Sequence, residues 1–140
     1  SETNQKGIKK YYMKLVLKLL ILAVAVTVLS AWTFRLEMDT IYRGADASNM
    51  IEEFQAYGLN QTTMIVVGIF KVMCAIFLLL GLKFEKFVTP AAFIMGTFML
   101  AAIYFHLSIS DPLIPTAPSA MMFLSCLAII YLDKKVSKSL

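Results

Sequence analysis

Residues 63–82 read TMIVVGIFKVMCAIFLLLGL, a run whose one charged side chain is Lys71. A hydrocarbon core about 30 Å thick takes roughly 20 helical residues to cross, so this run has the length of a membrane span. Three further apolar runs, Leu15–Phe34, Phe87–Leu107 and one from Leu113 or Ser119 to Leu132, repeat the pattern. The whole chain is 59% hydrophobic and 16% charged, with a mean hydropathy of +0.75. Soluble domains hold about 45–50% apolar residues, which excludes water as the main solvent. The expected fold class is an all-α integral membrane four-helix bundle, one domain over residues 1–140 with a long loop at 35–62. The first run follows a basic tail as a secretory leader would. It is long and lacks a small-residue cleavage site, so it reads as a retained anchor.

Outward from the spans, the basic residues fall in alternate gaps. Lys6, Lys9, Lys10 and Lys14 precede the first span, Lys83 and Lys86 separate the second and third, and Lys134, Lys135 and Lys138 follow the fourth. Residues 35–61 carry two arginines against Glu37, Asp39, Asp46, Glu52 and Glu53, and 108–118 carry Asp111 without Lys or Arg. Basic loops stay cytoplasmic, which puts both termini inside and the two acidic connections outside. Lys18 can snorkel from the first span. The net charge of +4 sits beside spans rather than in an aromatic-interleaved patch, which argues against nucleic acid.

Within the long external loop, Ile51 and Phe54 stand three apart beside Glu52 and Glu53. That spacing predicts a short amphipathic helix near Ala47–Tyr57, with Ser48 as N-cap and Gly58 as its stop. Its role is that of a loop closing the bundle, a lid or a partner-docking surface. Pro90 suits the first turn of the third helix. Pro112, Pro115 and Pro118 predict an irregular start to the fourth.

Lys71 lies near mid-span, where a lysine costs about 2.5–3.5 kcal/mol. At 100° per residue it shares a face with Met64, Val67, Gly68, Cys74, Ala75 and Leu78, so it points inward. Gly68 and Ala75 bracket it, allowing a neighbouring span to approach closely. Three readings are open: hydrogen bonds to Thr27, Ser30 or Ser125, a ligand or proton-linked role, or a subunit contact. His106 falls on the stripe of Ala92, Met95, Gly96, Met99, Ala102 and Ile103, with Ile94, Phe98 and Phe105 turned to lipid. Asp111 can reach back to the imidazole and fix its tautomer, as a structural pair or as part of an external ligand or proton path. One histidine with one carboxylate is no metal ligand set. Cys74 and Cys126 have no C-x-x-C partner and read as buried hydrophobes, and the nine methionines read as packing. Trp32, Tyr104 and Tyr131 lie near the interfaces, as in an aromatic belt. Phosphate-loop, zincin and nucleophile-elbow motifs are missing.

Gly68-x-x-Lys71 followed by Ala75 and Gly81, then Ala102-x-x-x-His106 with Asp111, and the preceding Tyr57-Gly58-Leu59, resemble the DoxX-like family of small four-helix membrane proteins. The resemblance covers roughly the latter two thirds of the chain. It implies a four-span bundle, linked in some relatives to quinone-dependent sulfur oxidation or membrane oxidoreductase complexes and in a distant animal branch to receptor assembly. This chain departs from the commoner pattern where Trp32, Arg35 and Glu37 replace an expected glycine and lysine.

The expectation is a bacterial inner-membrane accessory protein that binds a lipid-like or quinone-like molecule, or stabilises a complex, at Lys71, His106, Asp111, Gly68 and Ala102. The rivals are a redox subunit of a quinone-linked oxidoreductase, with Lys71 facing a quinone oxyanion and His106 with Asp111 handling protons, and a small oligomeric transporter or channel. A quinone is the cofactor this allows. Lipids, a membrane complex or further copies of the chain are the partners.

Overall fold

The structure, a computed structural model, describes residues 1–138; residues 139 and 140 and the side chain of Lys138 lie outside it. Four helices are long and apolar enough to cross a membrane: α1 (Glu2–Ala31), α3 (Gln61–Leu80), α4 (Val88–Ser108) and α5 (Leu113–Lys138). A short α2 (Met50–Ala56) lies in the first loop, and no strand occurs among the described residues. The fold is all-α, as composition and periodicity require.

Helix α1 begins well before the apolar run. Ser1 caps it by accepting the Asn4 amide at 3.3 Å, and 30 residues at 1.5 Å each give about 45 Å. That exceeds a hydrocarbon core, so the lysine-bearing start projects beyond it. The helix stops at Ala31, short of Phe34, because Trp32 takes the cap position and the Arg35 amide turns back to the Ser30 carbonyl at 3.0 Å.

Helix α2 corrects the expected cap and the expected face. Asn49, not Ser48, accepts the Glu52 amide at 2.9 Å, while the Glu52 carboxylate accepts the Ser48 amide at 2.8 Å. The two exchange hydrogen bonds much as in a capping box, displaced by one residue. Gly58, with φ of +80°, ends the helical path as expected. The buried face carries Met50 and Glu53, whereas Ile51 is exposed. A carboxylate, rather than an isoleucine, is turned into the protein.

Helix α5 runs unbroken from Leu113 through Pro118, where an irregular start was expected. Pro115 falls in the first turn, where amides have no intrahelical partner, and the Thr116 hydroxyl donates to the Pro112 carbonyl at 3.1 Å. Only Pro118 costs the helix an interior hydrogen bond.

The spans pack in the ring order α1, α3, α4, α5, each against its two neighbours. Leu17, Ile21, Ala75, Leu78, Met95 and Ile129 meet along the axis, each buried. Leu19, Val26, Ile69, Phe70, Phe93 and Leu100 face outward, as lipid contact demands. At one end of the bundle, hereafter the termini end, Thr89 donates to Asp133 at 2.6 Å and ties α4 to α5. At the other, the loop end, the Ala45 amide donates to Asp111 at 2.9 Å and joins the first loop to the α4–α5 turn.

Candidate functional site

Arg43 organises the loop end. Its guanidinium donates to the Arg35 carbonyl at 2.6 Å, to those of Leu36 and Met38 at 3.2 Å, and to Glu53 Oε2 at 3.0 Å. The planar fork of an arginine allows this division of donors. Arg43 is 8% and Glu53 9% exposed, so the pair is a buried one.

Glu53 carries the chain onward. The Tyr57 hydroxyl, one helical turn away at the C-cap of α2, donates to Glu53 Oε1 at 2.8 Å and stands 3.2 Å from His106 Nε2. His106 Nδ1 meets Asp111 Oδ2 at 2.7 Å, the contact expected from their spacing. Asp111 also accepts the Ala45 amide, and a Cβ on Gly44 would stand 2.6 Å from its Oδ2. Only a residue without a side chain lets the loop come this close to the His–Asp pair. Burial, and then the neighbouring Glu53 carboxylate, push the Tyr57 phenol far above its ordinary range, so it remains a proton donor.

Two protonation states of His106 complete this chain differently. With one ring proton, on Nδ1 and donated to Asp111, Nε2 is an acceptor facing a hydroxyl whose hydrogen is engaged by Glu53. With both, the ring donates to Asp111 and to Tyr57.

Beneath this row of side chains lies a cavity of about 300 Å³ with walls from all four spans and α2. Val28, Phe98, Met99 and Met122 supply apolar wall, and Arg35, Lys71 and His106 polar wall. Lys71 Nζ stands 5.8 Å from the centre of the Trp32 ring, within reach of a cation–π attraction. Among the described residues it makes no hydrogen bond. The bonds expected from Thr27, Ser30 or Ser125 are not made: Thr27 and Ser125 donate to carbonyls of their own helices, and Ser30 donates to the Thr27 carbonyl and accepts from Arg35.

Of the residues singled out from sequence, Lys71, Ala102 and His106 line this cavity, while Asp111 and Gly68 stand behind it. Gly68 has a different use from the one expected. The Trp32 ring, not a neighbouring backbone, covers it, with ring carbons 2.5 Å from where a Cβ would be. Trp32 thus turns into the bundle, edge to Phe54, rather than into an interfacial belt. Phe98 and Phe105 do not face lipid alone: both line the cavity, and Phe105 stacks on Tyr57 at 5.5 Å. Arg43, Glu53 and Tyr57 were not singled out as site residues. The usable signal was Glu53 and Tyr57, four apart on one helical face, in a loop where an arginine stood among acids.

Among the described residues, no group of three or more His, Cys, Asp or Glu side chains could hold a metal ion. Residues 19–129 match the DoxX-like family. No curated protein and no solved structure matches the chain.

Proposed function

The chain belongs to the DoxX-like family, and from that premise and the cavity we propose that it is an accessory membrane subunit that binds a lipid-like or quinone-like molecule between its spans. One observation carries this reading: a lysine ammonium without a hydrogen-bond partner among the described residues faces a largely apolar cavity of about 300 Å³. A cation within a membrane span is costly unless paired, and a ligand oxygen at the half-buried Lys71 would supply the missing acceptor. In this reading Lys71 and Ala102 contact the ligand, with His106 at the rim held by Asp111, and Gly68 seats the Trp32 wall. The proposed location is a bacterial inner membrane, loop end outside and termini cytoplasmic. Native mass spectrometry after purification in a gentle detergent tests the binding. The expected result is a retained amphipathic adduct that is lost in Lys71→Ala; bare protein in both forms contradicts the proposal.

The Tyr57–His106–Asp111 row favours one second reading, a redox subunit of a quinone-linked oxidoreductase. Positioned side chains of these types can move protons to a reacting group. Quinone-dependent turnover lost in His106→Ala and Lys71→Ala would support it. The matched control is Phe93→Ala, on the exposed side of α4, because Phe98 lines the cavity.

A further inference from the structure

The charges around the cavity do not balance. Glu53 is engaged by Arg43 and Asp111 by His106. Arg35 donates through Nε to Ser30 Oγ at 3.0 Å and through Nη2 to the Thr27 carbonyl at 2.8 Å, both neutral acceptors. Among the described residues, neither Arg35 nor Lys71 has a carboxylate within ion-pair distance, and both line the cavity. Two cations thus face a largely apolar space, and one of them, Lys71, has the face of an indole against it and feels the Arg43-paired Glu53 carboxylate only from beyond ion-pair distance.

A neutral carbonyl would satisfy one donor of Lys71 and leave the positive charge uncompensated. An anion would satisfy both the donors and the charge, in surroundings where low dielectric strengthens the attraction. The space also limits the rest of the molecule. A volume near 300 Å³ is the lower bound of ordinary ligand pockets. A space at that lower bound suits a compact head and one hydrocarbon chain better than the two chains of a bilayer phospholipid. Exposed Ala101, on α4, belongs to its wall, so the space reaches the bundle surface where a chain can continue into lipid.

The geometry points to an anionic, single-chain amphiphile as the ligand, its carboxylate or phosphate head at Lys71 with Arg35 as the second cation, and its chain along Phe98, Met99 and Met122. This rests on the proposal that the cavity binds a ligand and specifies the ligand's charge.

Trp32, the protein's single tryptophan, forms the wall beside Lys71 and reports on it directly. In nanodiscs, its fluorescence is titrated with 2-bromohexadecanoate and with the methyl ester of the same acid. The expected result is saturable quenching by the acid at a concentration at least ten-fold below that needed by the ester. Lys71→Met abolishes the difference and Lys71→Arg preserves it, while Arg35→Gln reduces it by a smaller factor. Retention of the wild-type Trp32 emission maximum in each variant verifies that the wall is intact. Dodecyl phosphate displacing the acid more effectively than dodecanoate assigns a phosphate head; the reverse assigns a carboxylate. Equal, saturable quenching by acid and ester overturns the anionic ligand while leaving a neutral one bound in the cavity. An acid preference unchanged in Lys71→Met also overturns it. No saturable quenching by acid, ester or a decyl-substituted benzoquinone contradicts ligand binding itself.

Discussion

The two halves of this bundle share four helices and differ in what fills the space between them. Toward the termini end, Ile21, Ala75, Leu78, Ala92, Met95 and Ile129 are almost wholly buried and interlock, with polar side chains such as Thr89 and Asp133 kept to the outer end. Toward the loop end, the same helices part around a cavity, and the first loop closes it with Arg43, Glu53 of α2 and Tyr57 at the C-cap of α2. Lipid tails are as apolar as leucine, so the first half is held by dispersion and close fit rather than by exclusion of water. The second is held by hydrogen bonds whose partners are hard to replace once buried. One half therefore answers to volume and the other to charge.

The largest effect is expected at Arg43. Arg43→Ala strands Glu53 without its cation and removes a donor from three loop carbonyls, and breaking a buried pair costs about 3–5 kcal/mol. Thermal unfolding in detergent should show it, with Arg43→Lys recovering only part because an ammonium cannot divide its donors as a guanidinium does. Full retention of stability would break the contrast between the halves. In the packed half, Leu78→Ala should cost about 3 kcal/mol through the space it leaves, with little change in the Trp32 emission maximum, since Leu78 lies away from the cavity wall. A comparable shift of that maximum in both variants would mean that the halves are not separate.

Tyr57→Phe sharpens the polar side. At neutral pH the loss of its hydrogen bond to the Glu53 carboxylate should cost about 1.5–3 kcal/mol. The folded protein keeps the phenol proton above the ordinary tyrosine value of 10.0. Stability from this group is therefore complete below pH 10 and falls as pH rises past it. Unfolding midpoints between pH 8 and 11 should decline more steeply for the wild type than for Tyr57→Phe; parallel curves would contradict the role given to burial and Glu53.

The packed half was legible in the sequence because periodicity alone determines it. Cys74, Ala75 and Leu78 share a face at helical spacing, and that face is inward. His106 and Asp111 were legible too, being five residues apart across one turn. Arg43, Glu53 and Tyr57 were not, because their partners come from three separate elements and a carboxylate on a loop helix ordinarily faces solvent. Trp32 was misjudged for a related reason. Its position near a span end predicts an interfacial ring, and only the missing side chain at Gly68, distant in sequence, provides it an alternative seat. Phe98 and Phe105 show the limit of an inward–outward division, since a side chain at the border of a helical face can serve both lipid and cavity.

Ala92 and Ala102, on the same helix, give the most direct test of a cavity confined to the loop half. Ala102 lines the space, whereas Ala92 is fully buried in the packed half, and the native Cys74 and Cys126 are buried. In membranes treated with N-ethylmaleimide, Ala102→Cys should be labelled at least ten times faster than Ala92→Cys, over a wild-type background near zero. Equal labelling of the two positions, or none at Ala102→Cys, would contradict the account.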